Sequence, residues 1–487
     1  MTDTLMVGVS GIRGIVGKDL TEDVVARYAG AFGQWAKAGA RRPLVVVGRD
    51  ARESGPAFER AVTEGLASAG CAVVTVGIAP TPTIQLAVEH HRAGGGIAIT
   101  ASHNPIEWNA LKFIGPDGIF LDGADGKRVL DLVGKDGGGR GSTAGVKVAT
   151  DPGAIERHLD AVLKLPAVDV AAVRERSFAV ALDAVRGAGG PVMRTLLERL
   201  GCRVTGINLE TDGRFPRAPE PVPENLGELA ALVRRSGADV GIAVDPDVDR
   251  LAIVDETGTP IGEDYTLAFA IRAVLGEAAD DNATERRKDG TGMKGQSGVH
   301  VPSFRHSVVV CNLSTSLVVE DAARDYGAEV VRTPVGEVHV ARAILRLGAA
   351  IGGEGNGGVM YPALHAGRDA PVAAALLLTL LAREGRPVSQ VVAAAPRYVI
   401  VKAKVERGAG SRERGLERTY AALRQRFADA QVDTQDGLRL AWPNRWLHVR
   451  PSNTEPIIRL IAEAPSAPEA RELVDEGRRL SAASITA

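Results

Sequence analysis

Apolar and polar positions along this chain follow two different rhythms. Leu44-Val45-Val46-Val47 is an unbroken apolar run closed by Gly48-Arg49-Asp50, followed by a helical stretch and then, after Gly70, by Cys71-Ala72-Val73-Val74-Thr75. The same grammar returns at Phe178 to Asp183, which leads through Gly187, Gly189 and Gly190 and the helix-like VMRTLLERL to Gly201-Cys202-Arg203-Val204-Thr205. A third copy runs from Val308 to Asn312, through Ser314-Thr315-Ser316 and a helical stretch, to Gly327-Ala328-Glu329-Val330-Val331. Strand, polar turn, helix, glycine stop and strand make a βαβ unit. Three copies predict three similar α/β domains with mixed sheets. Beyond Pro396 the pattern alternates instead, at Tyr398 to Lys404, Leu438-Arg439-Leu440 and Trp446 to Arg450, which predicts a C-terminal α+β domain with an antiparallel sheet.

The expected division is an α/β domain over 1–150, a second over 151–255, a third over 256–385 and the α+β domain over 386–487, arranged around a central cleft. Two stretches, Gly134 to Gly145 and Ala279 to Gly298, offer too little apolar surface to offset the entropy of ordering and read as structureless, the second as a surface insertion without chemistry.

Charge changes the picture by subtraction. Of 487 residues, 58 are Lys or Arg and 60 are Asp or Glu, a formal net charge of −2, so no global basic field suggests a nucleic-acid partner. Anion binding must then be local. The three cysteines, Cys71, Cys202 and Cys311, lie far apart in apolar runs and read as buried small hydrophobes, which fits a reducing cytoplasm. The longest apolar run, Val372 to Leu381, is too short to span a membrane and the N-terminus has no leader pattern, so a soluble cytoplasmic protein is expected.

Candidate chemistry centres on Thr100-Ala101-Ser102-His103-Asn104-Pro105, after Gly94-Gly95-Gly96 and the short apolar run Ile97-Ala98-Ile99. A serine at the end of a buried-looking strand and before an Asn-Pro turn is displayed on a loop where its hydroxyl can meet a substrate and reads as a phosphate carrier, against the alternative of a plain reversing turn. Ser10-Gly11-Ile12-Arg13-Gly14 sets a guanidinium between glycines, open to an anion or simply a tight turn. Asp245-Pro246-Asp247-Val248-Asp249-Arg250 lies between two apolar runs. Its three carboxylates at i, i+2 and i+4 are expected on one side of an extended segment, a hard oxygen set suited to Mg²⁺. The alternative is a solvated acidic turn. Gly352 to Gly358 carries Glu354 and Asn356 among glycines, able to hydrogen-bond vicinal hydroxyls. Arg450-Pro451-Ser452-Asn453-Thr454-Glu455-Pro456 and Arg459 offer guanidiniums, hydroxyls and backbone N–H groups matched to a phosphate dianion.

With these residues assembled, the chain resembles the α-D-phosphohexomutase superfamily over nearly its whole length, through TASHNP, DPDVDR, the Gly-Glu loop and RPSNTEP in that order. The resemblance implies three α/β domains and a smaller fourth, Ser102 phosphorylated at rest, and one Mg²⁺ held by Asp245, Asp247, Asp249 and the phosphoserine. It implies that Glu354 and Asn356 contact sugar hydroxyls and that Arg450, Ser452, Asn453 and Thr454 hold the non-reacting phosphate. Arg13, His103, Lys112 and Arg250 match positions lining the reaction centre, with Lys112 a candidate for proton transfer. The implied reaction moves the Ser102 phosphate to a hexose monophosphate, giving a 1,6-bisphosphate that reorients and returns its other phosphate to Ser102; a hexose 1,6-bisphosphate would act as activator. The loop reads GEGNGG where relatives often carry GEMSGH or GEQSGH, so Asn356 stands in the serine position and Gly358 in the histidine position. Gly-Glu-x-Asn-Gly-Gly resembles phosphoglucosamine mutases, with phosphomannomutase/phosphoglucomutase as the runner-up. A non-catalytic phosphosugar-binding protein and a phosphoserine-using phosphatase are the other readings. A small phosphosugar is the expected partner, and the protein is expected to be a monomer or homodimer.

Overall fold

The computed structural model describes residues 5–8, 10–38, 43–133, 148–289, 307–406, 414–452 and 457–486. Four sheets follow one another along the chain. The first holds β1 (Met6–Gly8), β2 (Gly11–Ile15), β3 (Leu44–Arg49), β4 (Ala72–Ile78), β5 (Gly95–Ile99), β6 (Trp108–Ile114) and β7 (Val148–Thr150), in the order β1-β2-β6-β5-β3-β4-β7. β3 is parallel to β4 and β5, while β6 runs antiparallel to β5 and β2, so the sheet is mixed. Helices α1 (Glu22–Lys37), α2 (Gly55–Ser68), α3 (Thr81–His90) and α4 (Gly123–Leu132) cover it. The α1–α2 crossing is tight because Gly65 lacks a Cβ; one there would lie 2.1 Å from the Ala26 carbonyl oxygen.

After α5 (Ala154–Val162) and α6 (Val170–Arg176), the second sheet is built from β8 (Ala179–Asp183), β9 (Arg203–Ile207), β10 (Val240–Val244) and β11 (Leu251–Val254), ordered β11-β10-β8-β9 and flanked by α7 (Gly189–Arg199) and α8 (Gly227–Ser236). The third holds β12 (Val308–Asn312), β13 (Glu329–Thr333), β14 (Ile351–Glu354) and β15 (Gly358–Met360), ordered β13-β12-β14-β15. Its helices are α9 (Asp264–Asp289), α10 (Val318–Arg324), α11 (Glu337–Leu347), α12 (Ala370–Glu384) and α13 (Val388–Ala393). The parallel pairs β3–β4, β8–β9 and β12–β13 are the three expected βαβ units. The fourth sheet is wholly antiparallel: β16 (Val399–Glu406), β17 (Gln431–Asp433), β18 (Leu438–Trp442), β19 (Arg445–Pro451) and β20 (Ile457–Ala464), ordered β16-β20-β19-β18-β17, with α14 (Arg414–Arg426) and α15 (Ala467–Thr486).

One hydrophobic core runs continuously through the second and third units, from Leu159 on α5 to Val391 on α13, with α12 buried all round from Ala370 to Leu381. That burial accounts for the apolar run at 372–381: it is the central helix of a shared core. Among the described residues no helix is long and apolar enough to cross a membrane. The expectation of a structureless stretch over 279–298 fails in its first part, because α9 continues to Asp289. Glu277, Ala278, Ala279, Glu285, Arg286, Arg287 and Lys288 are strong helix formers, and propensity extends a helix already nucleated by its buried first half. The rest of that stretch and Gly134 to Gly145 lie outside the described residues.

Candidate active site

Fully buried β5 delivers the chain to Thr100, and the backbone then turns sharply so that Ser102 sits at φ +49°, a left-handed conformation uncommon for a side-chain-bearing residue. What holds it there is a guanidinium. Arg52, entirely buried, donates from Nη2 to the carbonyls of Ser102 (2.7 Å) and Asn104 (2.7 Å), from Nη1 to those of Pro105 (2.7 Å) and Trp108 (2.9 Å), and from Nε to Asp50 (3.0 Å). Asp50 Oδ2 also accepts from the Thr100 hydroxyl, which in turn accepts from the Ser102 amide. Every donor of one planar fork is spent on shaping a single loop.

The Ser102 hydroxyl donates to Asp245 Oδ2 at 2.7 Å. Asp245 follows β10, and the chain does not stay extended as the spacing suggested. Val248 adopts φ +62°, its amide donates back to the Asp245 carbonyl, and Asp245 Oδ1 accepts from the amides of Asp249 and Arg250 (3.2 Å each). A tight turn, not strand alternation, brings the three carboxylates within 4.8 Å of one another. Pro246 removes one donor and fixes one φ where the turn begins. Gly187 on the neighbouring loop lies so close that a Cβ would stand 2.5 Å from the Pro246 Cα.

Asp247 is further gripped by Thr81 at the start of α3, through Oγ1 to Oδ2 (2.8 Å), and by Lys112 on β6 (2.7 Å), which also lies 3.6 Å from Asp249. Burial works against charge on all these groups, and neighbours decide the outcome. Burial and the carboxylates of Asp247 and Asp249 hold Asp245 well above the usual range. Asp247 is held well below it despite its burial, chiefly by Lys112. Burial would lower Lys112, but the Asp247 and Asp249 carboxylates outweigh it and keep the ammonium charged. Two buried oxygens, Asp247 Oδ1 and Asp249 Oδ1, accept no hydrogen bond. Orphaned, converging carboxylate oxygens fit a hard divalent cation.

Cations surround this acidic turn. Arg13 on β2 donates to Asn104 Oδ1 at 2.6 Å; Arg250 pairs with Glu220 (3.2 Å) and lies 3.8 Å from Asp249. His103 is pushed down to about 2 by burial and then by Arg250, Arg13 and Arg368, so its imidazole is neutral, and its Nδ1 is buried without a partner. Arg368, just before α12, reaches Asp249 (2.6 Å), Glu337 (3.0 Å) and Glu354 (2.9 Å).

Glu354, at the end of β14, is buried and accepts from Arg368, from Asn312 Nδ2 (2.8 Å) and from the Gly336 amide (3.2 Å); Asn356 Nδ2 lies 3.4 Å from it. Ser102, His103, Lys112, Arg13, Arg250, the three aspartates and, through Arg368, Glu354 and Asn356 therefore form one neighbourhood. The candidates on the fourth sheet adjoin this neighbourhood through Asp436, which accepts from the Val335 amide, next to the Gly336 amide that donates to Glu354. Arg450 on β19 pairs with Asp436 at 2.8 Å and is the cross-strand neighbour of Arg459 on β20, while the Ser452 amide donates to the Ile457 carbonyl. Asn453 and Thr454 lie outside the described residues. Reading the motifs alone overlooks Arg52, Asp50, Thr81, Glu220, Glu337 and Arg368. The usable signal beside them is Asp369, next to Arg368, an N-cap residue ahead of an alanine/leucine-rich helix.

The chain matches the phosphoglucomutase/phosphomannomutase domain descriptions in sequence: alpha/beta/alpha domain I over residues 4–137, domain II over 156–258, domain III over 296–398 and the C-terminal domain over 400–480. A phosphoglucomutase/phosphomannomutase of Thermococcus kodakarensis is 37% identical over 477 residues, covering 98% of each chain. A probable phosphoglucosamine mutase of Methanopyrus kandleri is also 37% identical, over 470 residues and 96% of each chain. Among solved structures, a phosphoglucomutase/phosphomannomutase family protein of Burkholderia thailandensis is similar at a TM-score of 0.80 and 26% identity, covering 98% of each chain. Four consecutive domain matches and full-length relatives, on a chain whose serine faces an acidic turn across two sheets, place it without remainder: it belongs to the α-D-phosphohexomutase superfamily and is an isomerase of the phosphohexomutase class.

Proposed function

We propose that the enzyme interconverts a hexose 6-phosphate and hexose 1-phosphate through phosphorylated Ser102 and a 1,6-bisphosphate, with glucosamine phosphate as preferred substrate. The observation that carries this reading is the 2.7 Å hydrogen bond from Ser102 to Asp245, beside two carboxylate oxygens without partners and within a ring of cations. Asp245, Asp247, Asp249 and an oxygen on Ser102 would hold Mg²⁺, which when bound offsets charge on the transferring phosphoryl group. In the first transfer the Ser102 O–P bond breaks and a bond forms to a sugar hydroxyl, whose proton must leave; in the second the other phosphate returns to Ser102. Lys112, held charged beside the acidic turn, is the candidate for moving that proton, whereas His103, whose protonation burial and the neighbouring arginines oppose, suits a hydrogen-bonding role as a neutral imidazole. Arg13 and Arg250 supply positive charge for the phosphoryl oxygens. Glu354 and Asn356 would meet the sugar, and Arg450, Ser452, Asn453, Thr454 and Arg459 the phosphate that does not react.

The preference for glucosamine rests on the GEGNGG loop, and relatives named for phosphoglucosamine and for phosphoglucose or phosphomannose substrates are equally similar to the chain. Phosphomannomutase/phosphoglucomutase is therefore the second reading. The deciding experiment is turnover with Mg²⁺ and a trace of hexose 1,6-bisphosphate, offering glucosamine 6-phosphate, mannose 1-phosphate and glucose 1-phosphate in parallel. A preference of about tenfold in kcat/KM, or ~1.4 kcal/mol of transition-state binding, decides among them. No turnover of any, with Ser102 never phosphorylated, overturns the phosphoserine mechanism.

A further inference from the structure

The acidic turn is enclosed by a closed ring of contacts drawn from domains I, II and III. On one side the first turn of α3 presents Thr81, whose amide donates to the Asp247 carbonyl (2.9 Å) and whose hydroxyl donates to the Asp247 carboxylate. On the other side three consecutive residues of domain III grip the rest of the turn. Arg368 takes the Asp249 carboxylate (2.6 Å), the Ala370 amide donates to the Val248 carbonyl (3.2 Å), and Asp369 between them caps α12 through the Val372 amide (3.0 Å). The two sides are joined behind the turn by a buried chain. Thr83 Oγ1 lies 2.8 Å from His158 Nδ1, and His158 Nε2 lies 2.8 Å from Asp369 Oδ2, with His365 Nε2 on the same oxygen at 3.0 Å. Thr83, His158 and Asp369 are each 2% exposed or less.

The arrangement looks like a hydroxyl–imidazole–carboxylate relay, yet it is sealed from solvent, so its use is mechanical. Three carboxylates held together away from water repel one another, and without a cation the turn gains by splaying. A ring that fixes Asp247 from domain I and Asp249 from domain III removes that freedom during folding, so that a cation meets a site already in register. We propose that Thr83 and His158 are positioning residues, which set the affinity of the acidic turn for its divalent cation through Asp369 and α3 without touching substrate. The inference rests on the metal reading given above.

The test is titration of the metal-free full-length protein with Mn²⁺ alone, followed by electron paramagnetic resonance of the unbound ion. The wild type is expected to bind one ion and Asp247→Asn to lose it; if the wild type binds none, or the variant binds as well, the metal reading falls and this inference with it. Thr83→Val and His158→Gln remove the same link while conserving volume, and each is expected to weaken Mn²⁺ binding about fivefold, the worth of one buried hydrogen bond. Combined, they should weaken it about five- to tenfold rather than the about 25-fold of independent effects. Leu423→Ala, a core change on α14 in the separate core of the fourth sheet, is the control for general loosening and should leave Mn²⁺ affinity unchanged. Wild-type affinity in both single variants, full additivity in the double, or an equal loss in the control each overturns the proposal.

Discussion

Arg52→Lys tests most directly how the Ser102 loop is built. Lysine keeps the charge but replaces five donors in a plane by three on a single nitrogen. With one ammonium hydrogen kept on Asp50, at least two of the four carbonyls that Arg52 satisfies, those of Ser102, Asn104, Pro105 and Trp108, are left without a donor. An unsatisfied buried acceptor costs about 1–3 kcal/mol, so the change costs about 2–6 kcal/mol. Ser102 itself stores strain, since φ +49° on a residue with a Cβ costs about 1–3 kcal/mol and is maintained only by its surroundings. The loop therefore relaxes before the domain unfolds, whose own stability is about 5–15 kcal/mol. Relaxation rotates the Ser102 hydroxyl away from Asp245. If the native loop becomes disfavoured by about 3 kcal/mol, its population and the rate that depends on it fall roughly 100-fold. Intact-mass measurement of Ser102 phosphorylation during a pulse of glucose 1,6-bisphosphate reads this rate, and Arg52→Lys is expected at about 1% of the wild type with the protein still folded by circular dichroism. A rate within about threefold of wild type would refute the assignment of loop geometry to Arg52.

Lys112→Gln removes the charge beside Asp247 and Asp249 and should lower kcat by about 10²–10⁴-fold, the span of a lost proton donor; a loss below tenfold excludes Lys112 from that role. Gly190→Ala sets a Cβ 1.8 Å from the Leu209 carbonyl oxygen, backbone that cannot step aside, and should cost about 1–3 kcal/mol, lowering Tm by about 2–12 °C; an unchanged Tm refutes it. Where the third and fourth sheets meet, burial pushes Asp264 up to about 8 and His448 down to about 4. His448, depressed from 6.5, adds stability as pH rises from 4 to 6.5, while Asp264, raised from 3.8, removes it as pH rises from 3.8 to 8, so the two slopes offset until only Asp264 remains above 6.5. Asp264→Asn should thus gain about 2 kcal/mol on the wild type between pH 6.5 and 8 in urea unfolding; parallel curves over that interval contradict the assignment.

The three βαβ units were legible because a parallel strand buried on both faces writes itself as a continuous apolar run, and Val45 to Val47 and Val309 to Cys311 are such runs. β20 was not read, although it is the middle of the fourth sheet's long ladders with β16 and β19. Its run Ile457 to Ala464 mixes an exposed Arg459 with a fully buried Glu463, so neither alternation nor an apolar run stands out. Glu463 is buried because its carboxylate accepts from the Leu317 amide and the Trp446 indole, partners 146 and 17 residues away. The acidic turn was legible as three carboxylates in five residues, but not in its shape. Val248 at φ +62° carries no glycine or asparagine signature; its seat between the Asp245 carbonyl and the Ala370 amide and its burial in the shared core hold it there.

The residues that escaped sequence reading share a property: they act across domains or across loops far apart in the chain. Arg52 lies 50 residues from Ser102, Thr81 lies 166 from Asp247, Arg368 lies 119 from Asp249, and His158 lies 211 from Asp369. Each is an ordinary polar residue in its own neighbourhood, and Arg52's one short-range partner, Asp50, does not mark the four carbonyls it reaches across the chain. Motif residues are visible because the chemistry needs several donors or acceptors within one turn. Their supports need only one well-aimed group each, and the fold is free to recruit it from anywhere. A serine is a weak nucleophile, and three buried aspartates repel, so neither motif works without those distant supports. The motifs therefore name the reaction, and the long-range contacts through Arg52, Thr81 and Arg368 decide whether this chain can hold the geometry that performs it.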